Sequence, residues 1–516
     1  MEARALHIHP ADDVAVLLSP ALLAGTRVVV GGISVRTTGP VMSGHKVALR
    51  QIAAGESVRK YGQPFGRAVR PIAAGEWVHT HNVETLLGAN ESYAFRPFVG
   101  EDAATGGRDQ PTFRGFVRAD GRVGVRNELW VLCTVGCINR AAEAVAREAH
   151  RRFSREFGGP VDGVYCFTHP YGCAQIGHDL LQTRAAIAAL AAHPNCGGVL
   201  LMGLGCENNV LQEQVAAFRN GDPDRVRYFS AQDTEDEVGE GVRLLSELAE
   251  RCVGDTRVSL PASRLVVGMK CGGSDGFSGL TANPLVGVLS DRLARWGGTA
   301  ILTEVPEMFG AERLLMERAA DEPTFHRIET MINGFKDYFR RYDEPISENP
   351  APGNKAGGIT TLEEKSLGCI QKGGATALVR HVLDYGETLP ATAPASYGQP
   401  PSGGIALAYG PGNDAVSCTT LAAAGAQIVL FTTGRGTPFG TCVPTLKIST
   451  NSGLAARKPH WIDFDAGALV ETGVPIDTLA DQLQEAVLAV ASGERQTRNE
   501  INGYREIALF KDGVTT

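Results

Sequence analysis

The chain reads as an α/β protein, a small β-rich N-terminal module followed by α/β units with largely parallel, Rossmann-like sheets. Two observations predict this. Four apolar runs, ELWVLCTVGC, GVYCFTHPYGC, GVLLMGLGCEN and RLVVGMKCGGSDG, contain segments with the length and apolar character of buried strands. Residues 140–152, 178–192 and 207–219 between them read as helices, and strand–helix alternation builds a parallel sheet. Residues 1–85 instead break into short strand-like pieces, ALHIH, VVV, KVALRQI, VRKYG and WVHTHNV, separated by turn residues. AAGESV (53–58) and AAGEWV (73–78) repeat one turn-then-strand pattern.

The remaining elements follow in order. Residues 86–112 are polar, Gly-rich and poor in aliphatics, so they read as a linker. An α/β domain runs over 113–258, and a C-terminal α/β catalytic domain over 259–516. The latter opens on SRLVVGMKC and carries PLVGVLSDRLARWG as helix and TAILTEV as strand. Residues 343–375 are Gly-rich and sparse in aliphatics, which predicts a long functional loop. ATALVRHVLDYG, GIALAYG, LAAAGAQIVLFTTG and TLKISTN resume the alternation, and DTLADQLQEAVLAVASGE is an amphipathic helix.

Bulk properties exclude several classes. The 516 residues are 43% hydrophobic and 21% charged, with a net charge of −8, as in ordinary soluble globular proteins. No Lys/Arg run appears, which argues against nucleic acid as a partner. No apolar stretch is long enough to span a membrane, and MEARALHIHPADD lacks the pattern of a secretory leader. We therefore expect a cytoplasmic protein, whose 11 cysteines are thiols or metal ligands rather than disulfides. A homo-oligomer stays open.

Four cysteines stand out. Cys137, Cys173, Cys206 and Cys271 each follow a strand-like run and sit among Gly, Asn, His, Glu or Asp. Ligands of parallel sheets bind beyond the carboxyl ends of the strands, so the four thiols are expected to share one metal or iron–sulfur site. Cys133, Cys166 and Cys252 lie within apolar or helical stretches and read as core. Phosphate-binding readings fail, since GxxxxGK[ST] is absent and GLGCEN lacks the third glycine of a dinucleotide loop. GGSDG (272–276) has the spacing of a nucleophile elbow, but no helix follows at once.

Several stretches together resemble the altronate/galactarate dehydratase family of hexonate and hexarate hydro-lyases. They are GHKVAL (44–49), ADGRVGVRN (119–127), THPYGCAQ (168–175), GLGCEN (203–208), KCGGSDGFSG (270–279), NPAPGNKAGGITTLEEKSLGCIQKGG (349–374) and TTGRGTPFG (432–440). The 349–374 segment is closer to the altronate branch, and the N-terminal module is similar to the family's SAF domain. The resemblance implies conversion of D-altronate to 2-dehydro-3-deoxy-D-gluconate in hexuronate catabolism. It also implies ferrous iron or a similar divalent ion, with an iron–sulfur cluster and Mn(II) as the other cofactor readings. The alternatives are a galactarate or other aldarate dehydratase, a lyase of the sulfolactate type, or an iron–sulfur electron-transfer or sensing protein.

Dehydration of a 2,3-dihydroxy acid removes a weakly acidic C2 proton and expels hydroxide from C3, so it needs a base, a charge partner for the carboxylate and a Lewis or Brønsted acid. The resemblance places the GHK turn of the SAF-like module at the active site, which makes His45 and Lys46 candidates for proton transfer or metal binding. His169, four residues before Cys173, is a further candidate, while His178 reads as structural. His7, His9, His79 and His81 read as strand-face residues. In the 349–374 segment, Asn354, Thr360, Thr361 and Lys372 are candidate substrate contacts. Glu363 and Glu364 fit a helix cap behind Thr360 or Thr361. Lys365 cannot be part of a cap and suits the substrate carboxylate, as does Arg435 on the turn after AQIVLF.

Overall fold

The computed structural model describes residues 3–88, 92–98, 110–218, 222–390 and 403–514. Part of the expected linker therefore lies outside the described residues.

The N-terminal module is all β. Strands Ala5–Leu6, Val14–Leu17, Lys46–Ala48 and Trp77–Val78 form one antiparallel sheet. Ser57–Lys60, Gln63–Ala68 and Val83–Glu84 form another, and Arg27–Val30 pairs with Ile33–Arg36. The repeated AAGE turns are structural twins, since Ile52 and Ile72 bridge antiparallel. Gly55 and Gly75 share φ values of 81° and 83°. A Cβ at Gly75 would lie 1.8 Å from the Arg36 carbonyl oxygen, so only glycine fits that turn.

The first parallel sheet contains β1 (Glu128–Cys133), β2 (Val164–Phe167), β3 (Cys196–Gly203) and β4 (Val226–Ser230), in the order β2-β1-β3-β4. All residues of β1 and β3 are buried, because helices cover both faces. Helix Asn139–Phe153 buries Ala142, Val145, Ala146 and Ala149, one stripe of 3.6-residue period, and packs on Glu237–Cys252. The helix expected over 207–219 is confined to Leu211–Ala216, because the GLGCEN turn occupies the residues before it.

The second sheet has seven parallel strands. They are β5 (Val266–Cys271), β6 (Thr299–Leu302), β7 (Val379–Leu383), β8 (Gly404–Ala408), β9 (Ile428–Thr433), β10 (Thr445–Ser449) and β11 (Phe464–Asp465). Their order is β7-β8-β6-β5-β9-β10-β11. The C-terminal amphipathic helix, Ile476–Ala491, buries Leu479, Leu483, Val487 and Val490 against helix Ala282–Trp296. Strands Thr112–Val117 and Val258–Pro261 pair antiparallel between the two parallel sheets.

Two expectations are corrected here. Residues 343–375 are not one loop, since helices Pro352–Ala356 and Leu362–Cys369 form within them, each started by a cap or a proline. The four marked cysteines do not end strands of one sheet either. Cys137, Cys173 and Cys206 follow β1, β2 and β3, whereas Cys271 closes β5 of the other sheet. A run's apolar pattern places its thiol at a strand end but does not say which strands pair.

Candidate active site

The seven-stranded sheet reverses its winding between β5 and β9: the chain goes from β5 to β6, β7 and β8 on one side, then returns to β9 on the other. Such a switch point opens a crevice beyond the carboxyl ends of the two strands. Here those ends are the KCGGSDG and TTGRG turns. They are locked together, with Gly434 and Arg435 N–H both donating to the Gly273 carbonyl at 3.1 and 3.0 Å. Gly434 lies against the Asp275 carboxylate, 2.2 Å from where a Cβ would begin.

Two further segments close on these turns. Asn354 Nδ2 donates to the Ser274 carbonyl at 2.8 Å, and Gly276 N–H to the Gly357 carbonyl at 2.8 Å. The N-terminal module arrives from the opposite side. Lys46 Nζ donates to the Gly358 carbonyl at 2.7 Å and to Glu364 Oε2 at 2.8 Å, and Lys60 Nζ reaches Glu364 Oε1 at 2.8 Å. Burial opposes ionisation of Glu364, yet the two ammonium groups hold its pKa down to about 2. Lys46 is lowered to about 8, by burial first and by the charge of Lys60.

Beneath the crevice lies a closed charge network. Lys270 pairs with Glu304 and, at 3.0 Å, with Asp414. Lys372 Nζ sits 2.7 Å from Glu304 and 2.9 Å from Cys271 Sγ, and Lys365 Nζ sits 2.8 Å from Glu307. Three ammonium groups thus face three carboxylates. Glu304 adopts a left-handed conformation with φ 67°. Such backbone costs on the order of 1–3 kcal/mol in a non-glycine residue and gathers at functional sites. Burial works against Glu307, but Lys365, Lys270 and Lys372 keep its pKa at about 2.

Cys271, Glu307 and Cys369 form a buried group whose donor atoms all lie within 4.8 Å of one another. The two sulfurs are 3.1 Å apart, and Glu307 Oε2 lies 3.0 Å from Cys369 Sγ and 3.6 Å from Cys271 Sγ. This donor set fits a soft or borderline divalent ion. The surrounding charges already cancel, so such an ion stays neutral only by displacing both thiol protons. Thiolates favour iron or zinc over Mn(II), which prefers carboxylate and water.

Three family models together match almost the whole chain. The altronate/galactarate dehydratase SAF domain matches residues 3–86, the D-galactarate dehydratase/altronate hydrolase second domain 115–253, and the D-galactarate/altronate dehydratase C-terminal model 262–515. The chain is 47% identical over 512 residues to altronate dehydratase of Bacillus subtilis and 48% identical over 517 residues to that of Escherichia coli, with 99% of both chains covered in each case. Against galactarate dehydratase (L-threo-forming) of E. coli it is 33% identical over 535 residues, covering 99% of this chain and 97% of the relative. The chain belongs to the altronate/galactarate dehydratase family. It is a hydro-lyase.

The structure gives several residues singled out in this family member defined partners. His45 is buried on the SAF turn, where Trp77 Nε1–H donates to its Nδ1 at 3.1 Å and its Nε2 meets the Ala356 carbonyl at 3.3 Å. Both ring nitrogens are occupied, burial lowers its pKa, and the Nε2 contact ties the SAF turn to the 349–358 segment. His79, read as a strand-face residue, belongs to the same cluster. It lies 5.1 Å from the His45 ring centroid and contacts Thr360 Oγ1 at 3.1 Å.

His169 lies on the other parallel sheet. It belongs to the loop after β2, with Nε2 on the Cys133 carbonyl at 3.0 Å and Nδ1 accepting from Tyr171 N–H at 3.3 Å. Thr361 caps the helix that begins at Leu362, and Thr360 N–H donates to Glu364. Asn354 braces backbone and Lys372 lies under the crevice, so neither presents a free group to a substrate. Lys365 reaches Asn349 Oδ1 at 3.0 Å as well as Glu307. Arg435 is exposed on its turn, and among the described residues its guanidinium has no hydrogen-bond or ion-pair partner.

Sequence reading missed Cys369, Glu304, Glu307, Lys60 and Lys270. Glu304 was in reach, because TAILTEV ends at the same sheet edge as Cys271. Cys369 lies in a helix and Glu307 in a short 3-10 turn, where strand-end logic does not look.

Proposed function

We propose that this chain dehydrates D-altronate to 2-dehydro-3-deoxy-D-gluconate and water in the crevice between the KCGGSDG and TTGRG turns. The supporting observation is identity of 47–48% over the full length to two altronate dehydratases, against 33% to a galactarate dehydratase. The substrate is a small anionic sugar acid, and Arg435, whose guanidinium has no partner among the described residues, suits its carboxylate. Among the described residues no helix is long and apolar enough to cross a membrane.

Arg435 grips the carboxylate, where a planar fork can take both oxygens. Negative charge grows there as the C2 proton leaves, so a cation held in place gains most in the transition state. Lys365 is the second cation. Burial disfavours its charge, but Glu307 raises its pKa, which keeps it protonated and able to give a proton to the departing C3 hydroxyl. The N-terminal module excludes water from this side, through the His45, Lys46 and Lys60 contacts. An iron ion held by Cys271, Cys369 and Glu307 would supply Lewis acidity toward substrate oxygens.

A panel of aldonates and aldarates, assayed anaerobically with ferrous iron for the 2-keto-3-deoxy product, tests the substrate. D-altronate should give the highest kcat/KM. A clear preference for galactarate would overturn the assignment. The metal reading is tested separately by anaerobic ferrous titration in a pH-stat. Wild-type protein should release about two protons per ion, one from each buried thiol. Cys369→Ser and Glu307→Gln should weaken uptake about tenfold or more, as loss of a ligand or its close support does.

A further inference from the structure

A second set of thiols remains unused by this site. Cys137, Cys173 and Cys206 are all exposed, and each stands just beyond the carboxyl end of one of three adjacent parallel strands, β1, β2 and β3. The three loops interlock. Gly136 N–H donates to the Tyr171 carbonyl at 2.7 Å, Asn139 Nδ2 to the His169 carbonyl at 2.9 Å, and Asn208 N–H to the Cys173 carbonyl at 2.7 Å.

Two polar side chains near these thiols are spent on the loops themselves, while exposed Gln232 directs Nε2 at Cys206 Sγ from 3.8 Å. Glu207 folds its carboxylate back onto Thr134 Oγ1 and the N–H groups of Leu204, Gly205 and Cys206. His169 uses both ring nitrogens on backbone. The three thiols are exposed on these braced turns, together with Ala174, Ile176 and Asn208. Buried Gln175, on the Cys173 loop, keeps an Nε2 donor without a hydrogen-bond partner among the described residues.

The spacing discriminates between ligands. Thiolates on one ion, at about 2.3 Å each, must crowd within about 4–5 Å of one another. Among the described residues the only group of three donors within 4.8 Å is the buried Cys271–Glu307–Cys369 set, so these three thiols are too spread for a single ion. A polynuclear cluster seats each thiolate on its own iron and holds them farther apart.

We propose that Cys137, Cys173 and Cys206 hold a cubane iron–sulfur cluster, three irons on protein thiolates and the fourth open to a small oxygen ligand. Loading is ligand exchange: each protein thiol passes its proton to a departing small thiolate as its sulfur bonds iron, and no electron is transferred. The site is distinct from the buried Cys–Glu–Cys group, and its test involves no turnover, so it stands or falls apart from the altronate assignment.

The full chain is incubated anaerobically with a preformed cubane cluster carrying small thiolate ligands, desalted, and analysed for iron, acid-labile sulfide and the electron paramagnetic resonance of the reduced sample. Wild type and the Cys271→Ser/Cys369→Ser variant should both retain about four sulfides per chain, as a cubane requires. Cys137→Ser, Cys173→Ser and Cys206→Ser should each lower sulfide content at least fivefold while far-ultraviolet circular dichroism stays unchanged, since all three side chains are exposed. Absence of sulfide from wild type, or full retention in the triple serine variant, would overturn the proposal.

Discussion

Glu364→Gln should destabilise the protein by about 3–5 kcal/mol, the cost of removing one partner from a buried ion pair. Glu364 is the sole carboxylate bonded to both Lys46 and Lys60 among the described residues, and the three side chains are at most 2% exposed. The lysines come from two strands of the N-terminal module, and the glutamate from the helix Leu362–Cys369. The amide would leave two ammonium groups facing each other without a counter-charge. The first transition in urea, followed by tryptophan fluorescence, should move to lower concentration, and adding Lys46→Met should recover part of the loss.

The pH dependence has a defined sign. The pKa of Glu364 is lowered in the fold from 4.5 to about 2. Its stabilisation is therefore complete above about pH 4.5 and lost as pH falls from there toward 2. Wild type should lose stability through this window more steeply than Glu364→Gln. Equal slopes would show that folding does not lower the pKa of Glu364.

Arg435→Gln should lower kcat/KM on D-altronate by about 100-fold or more, the effect of losing one preorganised partner for developing charge. Fold and iron content should be unchanged, because Arg435 is exposed and bonded to no other side chain among the described residues. Arg435→Lys should recover only part of the rate, since an ammonium cannot engage both carboxylate oxygens as a fork. Wild-type kinetics in Arg435→Gln would move the carboxylate to another cation, with Lys365 next in line.

The sequence by itself determined the elements and the sheet edges. Hydrophobic period and turn residues are local properties, so ELWVLC, GVLLMG and VVGMKC announce buried strands, and the glycines and cysteines after them mark carboxyl ends. The same logic placed Arg435 on a turn after a strand, and the resemblance of long segments reached the family. The AAGE echo likewise foretold two matching turns.

Only the tertiary structure decided which strand ends meet. Strand pairing is a long-range choice that no local pattern encodes, so four similar cysteines divided between two sheets, three of them beside one another and Cys271 elsewhere. Cys271 acquired Cys369 and Glu307 from segments far along the chain. Lys46 and Lys60 met Glu364 across more than 300 positions, which turned an apparent helix cap into an ionic clamp between two modules. A side chain's charge is written in the sequence; its partner, and hence its protonation and its role, is set by what the fold packs against it.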